Sequence, residues 1–453
     1  MKKIKLIHGK VNRQIGKQVK ERIIFTLSGF LYILKHKLFK NTFIYTSSDV
    51  ISLAIPLFLL PILTRYLTPS DYGIVATFQV LLSVIVVFVG LDMYGAVAVN
   101  FFKIDKQKLK VYIGNVFFIT FINFILAFAT IYILKSPLSH LMQFPEGWLS
   151  IIPLVALSQF IFTLALTLWR VEQKALPYGL FQILQTIFNV GLSLVFVVAL
   201  NWRWQGRLVG IIITSVVFAF VGVFIIYKRK YIDFSFNKNY IKDTLLFSIP
   251  LIPHALGSWV ITSIDRIFIN SMVNITETGL YTVGYQVGMI IGFLAMAFNK
   301  AWSPFLYKKL EENSYATKVK IVKFTYLYDI GIIVLALALS IIAPYFLKFF
   351  IGESFHSSYK YVLWIALGYA ANGMYFMVVN YIFYIKKTYI LAWVTFFSAC
   401  VNIILNYFFI KLNGPIGAAQ ATTITFFLMF FMTWALSAKV YLMPWYSVLR
   451  QNK

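Results

Sequence analysis

Apolar residues run through this chain in twelve long stretches, separated by short polar breaks. A hydrocarbon core of roughly 30 Å takes about 20 helical residues. The pattern predicts spans near 43–65, 73–100, 111–134, 148–169, 177–200, 208–227, 244–269, 279–305, 322–347, 358–385, 389–410 and 415–438. Pro69, Pro137, Pro145, Pro177, Gly206, Asn274 and Asn413 sit at the breaks, where water meets the freed backbone groups.

The stretches also repeat. Span two opens with Ser70-Asp71-Tyr72-Gly73-Ile74 and span eight with Thr276-Glu277-Thr278-Gly279-Leu280, each reading hydroxyl, acid, any residue, glycine, branched aliphatic. Lys174 leads to Asn189-Val190 at the interval by which Lys387 leads to Asn402-Ile403, and Gly206 and Gly210 are matched with Gly414 and Gly417. A duplicated six-helix unit accounts for all three matches, because equivalent helices need equivalent anchors and close-approach glycines. Duplicating an even number of spans gives two halves of one orientation, an arrangement in which transporters hold substrate between the halves. The expected organisation is an all-α polytopic chain: a basic arm at 1–40, a six-helix bundle at 41–230, a linker at 231–243, a second bundle at 244–439 and a basic tail at 440–453.

Composition excludes a water-soluble core, since 60% of the 453 residues are hydrophobic and 12% charged. The net charge of +26 follows from topology: thirty-two Lys/Arg fall on the side of the termini and eight on the other. The positive-inside rule places both termini in the cytoplasm. Basic residues scattered over every loop of one side give no nucleic-acid face. The arm is no ordinary signal peptide, because its apolar run Ile23–Leu34 is short and Lys35, Lys37 and Lys40 follow it. It is expected to lie on the inner leaflet against anionic lipid, or to dock a partner. The single cysteine, Cys400, rules out a disulfide framework and is expected to be buried. Trp148, Tyr178, Trp202, Trp204, Trp259, Trp302 and Trp364 fall near span ends, as in an interfacial belt. The sequence has no phosphate-binding Gly-rich loop, no His-Glu-x-x-His and no Asp-rich metal loop, so neither catalysis nor a cofactor is expected.

The segment Leu63-Thr64-Arg65-Tyr66-Leu67-Thr68-Pro69-Ser70-Asp71-Tyr72-Gly73 resembles the first-loop signature of the polysaccharide transporter group, the Wzx-type O-antigen and capsule flippases. Leu245–Pro253 with Asp265-Arg266, Gly279-Leu280-Tyr281 with Gln286, Ala301-Trp302-Ser303-Pro304-Phe305 and Asn413-Gly414-Pro415-Ile416-Gly417-Ala418-Ala419-Gln420-Ala421-Thr422 extend the likeness over residues 41–440. The resemblance implies a V of two six-helix bundles, as in MATE antiporters and lipid II flippases, with spans one, two, seven and eight lining the cavity. It implies a substrate made of an oligosaccharide on a polyprenyl diphosphate, turned outward across a bacterial inner membrane for O-antigen, lipopolysaccharide or capsule synthesis. Membrane lipid and the pathway's polymerase and chain-length proteins are the implied partners.

Ionisable groups inside spans are costly and mark function by default. A diphosphate needs cations, for which Lys300 is the expected inner contact and Arg65 and Arg266 the outer ones. Asp92, Asp265, Asp49 and His254 are candidates for balancing charge or binding a coupling H+ or Na+. Asp92 has no sequence-adjacent cation and leads for coupling, whereas Asp265 beside Arg266 reads as a structural pair. Asp329 in span nine falls, by family analogy, away from the cavity. Pro56 and Pro61 in span one and Pro250 and Pro253 in span seven are hinges or static kinks. A drug:cation antiporter of the same superfamily, a membrane-embedded sugar polymerase and a scaffold are the alternatives.

Overall fold

The computed structural model describes residues 37–445. Residues 1–36 of the expected arm and the end of the tail lie outside the described residues. Among the described residues there is no strand. Twelve helical segments are long and apolar enough to cross a membrane: Ile44–Tyr66, Pro69–Lys103, Lys106–Met142, Glu146–Val171, Ala175–Ala199, Arg203–Lys228, Lys238–Met272, Ile275–Glu311, Tyr315–Phe350, Glu353–Tyr384, Tyr389–Asn413 and Ile416–Val440. They are numbered here as spans one to twelve. Several outrun the expected bounds because polar residues continue the helix beyond the apolar stretch. Span seven starts at Lys238, within the expected linker, and span eight runs to Glu311.

Local chemistry sets the starts. The Thr68 hydroxyl accepts from the Asp71 N–H at 3.2 Å while Asp71 accepts from the Thr68 N–H at 3.0 Å, a reciprocal cap ahead of span two. Asp105, Asn237 and Asn274 cap spans three, seven and eight in the same way, each accepting from backbone N–H groups. On the basic side, Glu172 in the turn after span four takes bonds from Arg229 and Tyr231 and pairs with Lys174 at 3.1 Å. Burial raises its carboxyl, but these bonds and charges outweigh burial and hold it below its ordinary value.

The repeat is visible in how the halves touch. A Cβ on Gly73 would lie 2.0 Å from the Ile275 carbonyl oxygen, and one on Gly279 would lie 1.9 Å from that of Pro69. Each glycine faces the carbonyl four residues before the other, so spans two and eight cross about a two-fold axis with the matched motifs back to back. The matched asparagines also do one job: Asn189 accepts from Arg207 of span six at 2.7 Å, and Asn402 donates to Thr425 of span twelve at 3.0 Å. The glycine register needs correction. Gly206 packs on Phe196 and Gly417 on Phe409, each phenylalanine seven residues past its asparagine, whereas Gly414 makes a positive-φ turn at 64°. Gly206 therefore corresponds to Gly417.

Contact between the halves is concentrated at the ends of the helices away from the basic side. The crossing of spans two and eight lies beside an apolar cluster that includes Leu60, Leu63 and Tyr72 from one half and Tyr281, Leu347 and Phe355 from the other. Asn270 of span seven is the polar centre of this seam. It donates to Thr77 Oγ1 at 2.6 Å and to the Met142 carbonyl at 3.2 Å, and accepts from Thr278 at 2.5 Å. The Gln143 side chain completes it, donating to the Asn270 carbonyl at 2.8 Å and accepting from the Ile275 N–H at 3.1 Å. On the basic side, the first part of span seven docks on spans two and three, where Asp243 accepts from Asn100 at 3.2 Å and Tyr112 at 2.9 Å. Between spans one and eight on this side the link is the Lys300–Asp49 pair described below.

Spans two, seven and eight are interrupted within their length. Span seven passes through a 3₁₀ turn at Ile249–Leu251, which holds Pro250, and Pro253 falls in the first turn of the next helix, where its missing N–H costs nothing. Span eight breaks at Met289. Span two breaks at Leu91 and Asp92, with φ of 45° and 53°, a left-handed pair that is strained for leucine. Span one is continuous helix through Pro56 and Pro61, so the expected hinge shows as a break only in span seven. The Pro56 side chain lies outside the described residues. Cys400 is exposed on span eleven, not buried as expected.

Gly279→Leu forces the crossing apart. Overpacking costs roughly 1–3 kcal/mol, about five- to a hundredfold in population. With Cys400→Ser and Ser83→Cys as background, labelling by an impermeant maleimide from outside is expected to rise by that order; unchanged labelling of well-folded protein would mean the crossing is no seal.

Candidate substrate cavity

Below the seam, polar groups from both halves face one another. Span one brings Asp49 and span eight brings Lys300, whose ammonium lies 3.3 Å from Asp49 Oδ2. Tyr178 and Gln182 of span five donate to Asp49 Oδ1 at 3.2 and 3.3 Å. These charges remain 34–38% exposed, so the pair is accessible and weak, worth about 0–1 kcal/mol. An entering anion competes with Asp49 for Lys300, and that competition is what the arrangement offers chemically. Lys300 stands eleven residues from the end of its helix, which continues through Lys308 and Lys309 past the apolar stretch.

Farther out, span seven presents His254, Ser258 and Thr262 as one exposed stripe at four-residue spacing. Trp259 beside it donates to Ser83 of span two at 2.9 Å, so this tryptophan bridges the halves and is not a belt residue.

The remaining expected residues are placed differently. Asp265 and Arg266 are both buried and paired at 2.9 Å. Asp265 also accepts from Tyr281, and the guanidinium bonds the Thr262 carbonyl at 2.7 Å and lies over the Tyr285 ring at 4.1 Å. Arg266 is thus buried with its Nη1 engaged within its own half, and the expectation that it meets substrate gives way to a structural pair. Arg65 is exposed on the outer surface, where it lines a depression with Glu353. Asp92 sits at the break in span two, accepting from Tyr94 at 2.7 Å, with no ion-pair partner among the described residues.

Three features escaped the sequence reading. Arg207 is buried with neutral partners, donating to Asn189 at 2.7 Å and Ser193 at 2.5 Å; its position beside a span end made it look like an outer anchor. Asn270 and Gln143 gave no signal, because their partners across the seam are more than a hundred residues away. Asp329 is buried, and its Oδ1 has no hydrogen-bond partner among the described residues.

A family model for polysaccharide biosynthesis proteins matches residues 38–309. The chain belongs to that family. A Haemophilus influenzae protein described as an uncharacterized membrane protein is 28% identical over 356 residues, covering 78% of this chain and 85% of its own. Among solved structures, the lipid II flippase MurJ in an inward closed conformation superposes with a TM-score of 0.70 at 14% identity, covering 90% of this chain and 89% of that one. An inward-facing multidrug resistance MATE family transporter of the MOP superfamily gives 0.69 at 14% identity, covering 89% and 99%. The family member is thus an all-α polytopic membrane protein with the fold of the MurJ and MATE structures.

Lys300→Ala removes the cavity cation. A charged hydrogen bond of about 1.5–3 kcal/mol converts to roughly ten- to a hundredfold weaker binding of inorganic diphosphate. Asp49→Asn, which removes the competitor, is expected to tighten binding up to about fivefold. Calorimetry on purified protein checks both, and equal affinities in all three proteins would remove Lys300 from the site.

Proposed function

We propose that this polysaccharide biosynthesis family member is a flippase that carries a polyprenyl-diphosphate-linked oligosaccharide from the cytoplasmic to the outer leaflet of a bacterial inner membrane. The observation that carries the reading is the Asp49–Lys300 pair, an exchangeable cation in a polar space that the Gly73–Gly279 crossing closes on the opposite side. The bias of thirty-two to eight basic residues supports cytoplasmic termini, and hence a cavity that faces the cytoplasm in this state. A lysine here favours an anionic lipid over a cationic drug. The sugar rides in the polar space while the isoprenoid stays in lipid. Surface polymers such as O-antigen, lipopolysaccharide or capsule are the destination, and the polymerase and chain-length proteins of that pathway are the expected neighbours.

Two negative charges moving outward gain roughly 4–5 kcal/mol per 100 mV when they cross the full field unpaired. Membrane potential therefore favours export. H+ or Na+ coupling would use a carboxylate without a fixed cation, and Asp92 and Asp329 are two such groups among the described residues.

In spheroplasts depleted of the protein, the lipid-linked unit is expected to be synthesised but closed to an impermeant reagent that labels its sugar, and restored expression should reopen access. Unchanged outward labelling, with a chemically altered lipid-linked unit, would point to an enzyme instead.

A further inference from the structure

Arg170 stands exposed in the last turn of span four, one of the thirty-two basic residues on the side of the termini. Four spans meet around it. The start of span one docks on the turn after span four, where Asn41 donates to the Gln173 carbonyl at 2.9 Å. Tyr45 of span one sets its ring edge-on against Tyr178 of span five, with centroids 4.9 Å apart. Tyr178 and Tyr94 of span two both pack on the apolar cluster that contains Leu168 and Trp169, the two residues before Arg170. The guanidinium charge accordingly acts on the hydroxyls of Tyr45, Tyr94 and Tyr178.

Among the described residues no carboxylate pairs with this arginine. Glu172, two residues on, is held by Arg229, Tyr231 and Lys174. Asp49 is engaged by Lys300, Tyr178 and Gln182, and Asp92 by Tyr94. Two buried polar atoms in the same cluster, the Tyr45 hydroxyl and Gln182 Oε1, have no hydrogen-bond partner among the described residues. A buried hydroxyl left unpaired is costly, and an anion beside Arg170 would pair it.

We propose that Arg170 and the Tyr45 hydroxyl bind one phosphate of the lipid-linked diphosphate while Lys300 binds the other, so that the head group bridges the two halves. Contacts run from Lys300 through Asp49 and Tyr178 to Tyr45, which sets the two cations at opposite ends of one polar chain. Arginine's planar fork offers two parallel N–H bonds to one phosphate, and lysine offers a point charge to the next. Two cations so placed select a diphosphate over a monophosphate, because a single phosphate engages only one of them. The assignment rests on the flippase reading for the identity of the head group.

The test is calorimetry on the full-length protein in phosphatidylcholine nanodiscs, with geranyl diphosphate and geranyl monophosphate as ligands. Arg170→Gln is expected to weaken binding of the diphosphate roughly a hundredfold. Tyr45→Phe, which keeps the ring on Tyr178 and so should fold normally, is expected to weaken it about tenfold. In both variants the preference for the diphosphate should narrow by the same order. Unchanged diphosphate affinity in either folded variant, or an equal loss for both ligands, would overturn the site. An effect of Arg170→Gln that vanishes when the disc lipid is phosphatidylglycerol would also overturn it, by making Arg170 an anchor for membrane headgroups. Because the readout is binding, its failure in a protein that still exports the lipid-linked unit would sink this site alone. A diphosphate preference that depends on Arg170, in a protein that exports nothing, would sink only the flippase reading.

Discussion

Two backbones touching at Gly73 and Gly279 set the geometry of the molecule. Lipid offers no hydrophobic drive to hold the halves together, so their association depends on close backbone approach and on polar groups that find partners across the boundary. The reciprocal glycines provide the first, and Asn270, with its bonds to Thr77, Met142 and Thr278, provides the second. Because these contacts lie at one end of the helices, the other end of spans one and eight is free to part, leaving Asp49 and Lys300 as a thin bridge between them. Asp49 and Lys300 stay partly exposed at the end of the helices away from these glycines.

The same placement explains the distribution of charge. Arg266 is buried beside Asp265 within one half and serves that half's packing, while Lys300 is half exposed and shared between halves. Among the described residues the carboxylate partner of Lys300 comes from the opposite half through a weak accessible pair, which suits the exchange with a substrate phosphate proposed above. The break at Leu91 and Asp92 adds a strained point in span two beside a carboxylate with no ion-pair partner among the described residues, and span seven touches the first half on both sides of its 3₁₀ turn at Pro250.

Much of this was legible in the sequence, because a bilayer fixes helix length and demands apolar runs. The twelve spans, the duplicated motifs and the family signature could all be read from the chain, as could the Asp265–Arg266 pair, whose members are adjacent. The Asp49–Lys300 bridge was not legible, since 251 residues separate its members and only the fold brings them together. Span ends were misjudged where polar residues carry a helix on into water. Nothing in Leu91 announces a left-handed backbone, and Gly206 was matched to Gly414 because spacing cannot tell a packing glycine from a turn glycine.

The most direct test is to fasten the outer seam and ask whether transport stops. In a Cys400→Ser background with Thr77→Cys and Asn270→Cys, a short cleavable thiol crosslinker should join spans two and seven, halt outward appearance of the lipid-linked oligosaccharide, and release it again on reduction. Export at the full rate by crosslinked protein would contradict the claim that the two halves must separate at this seam.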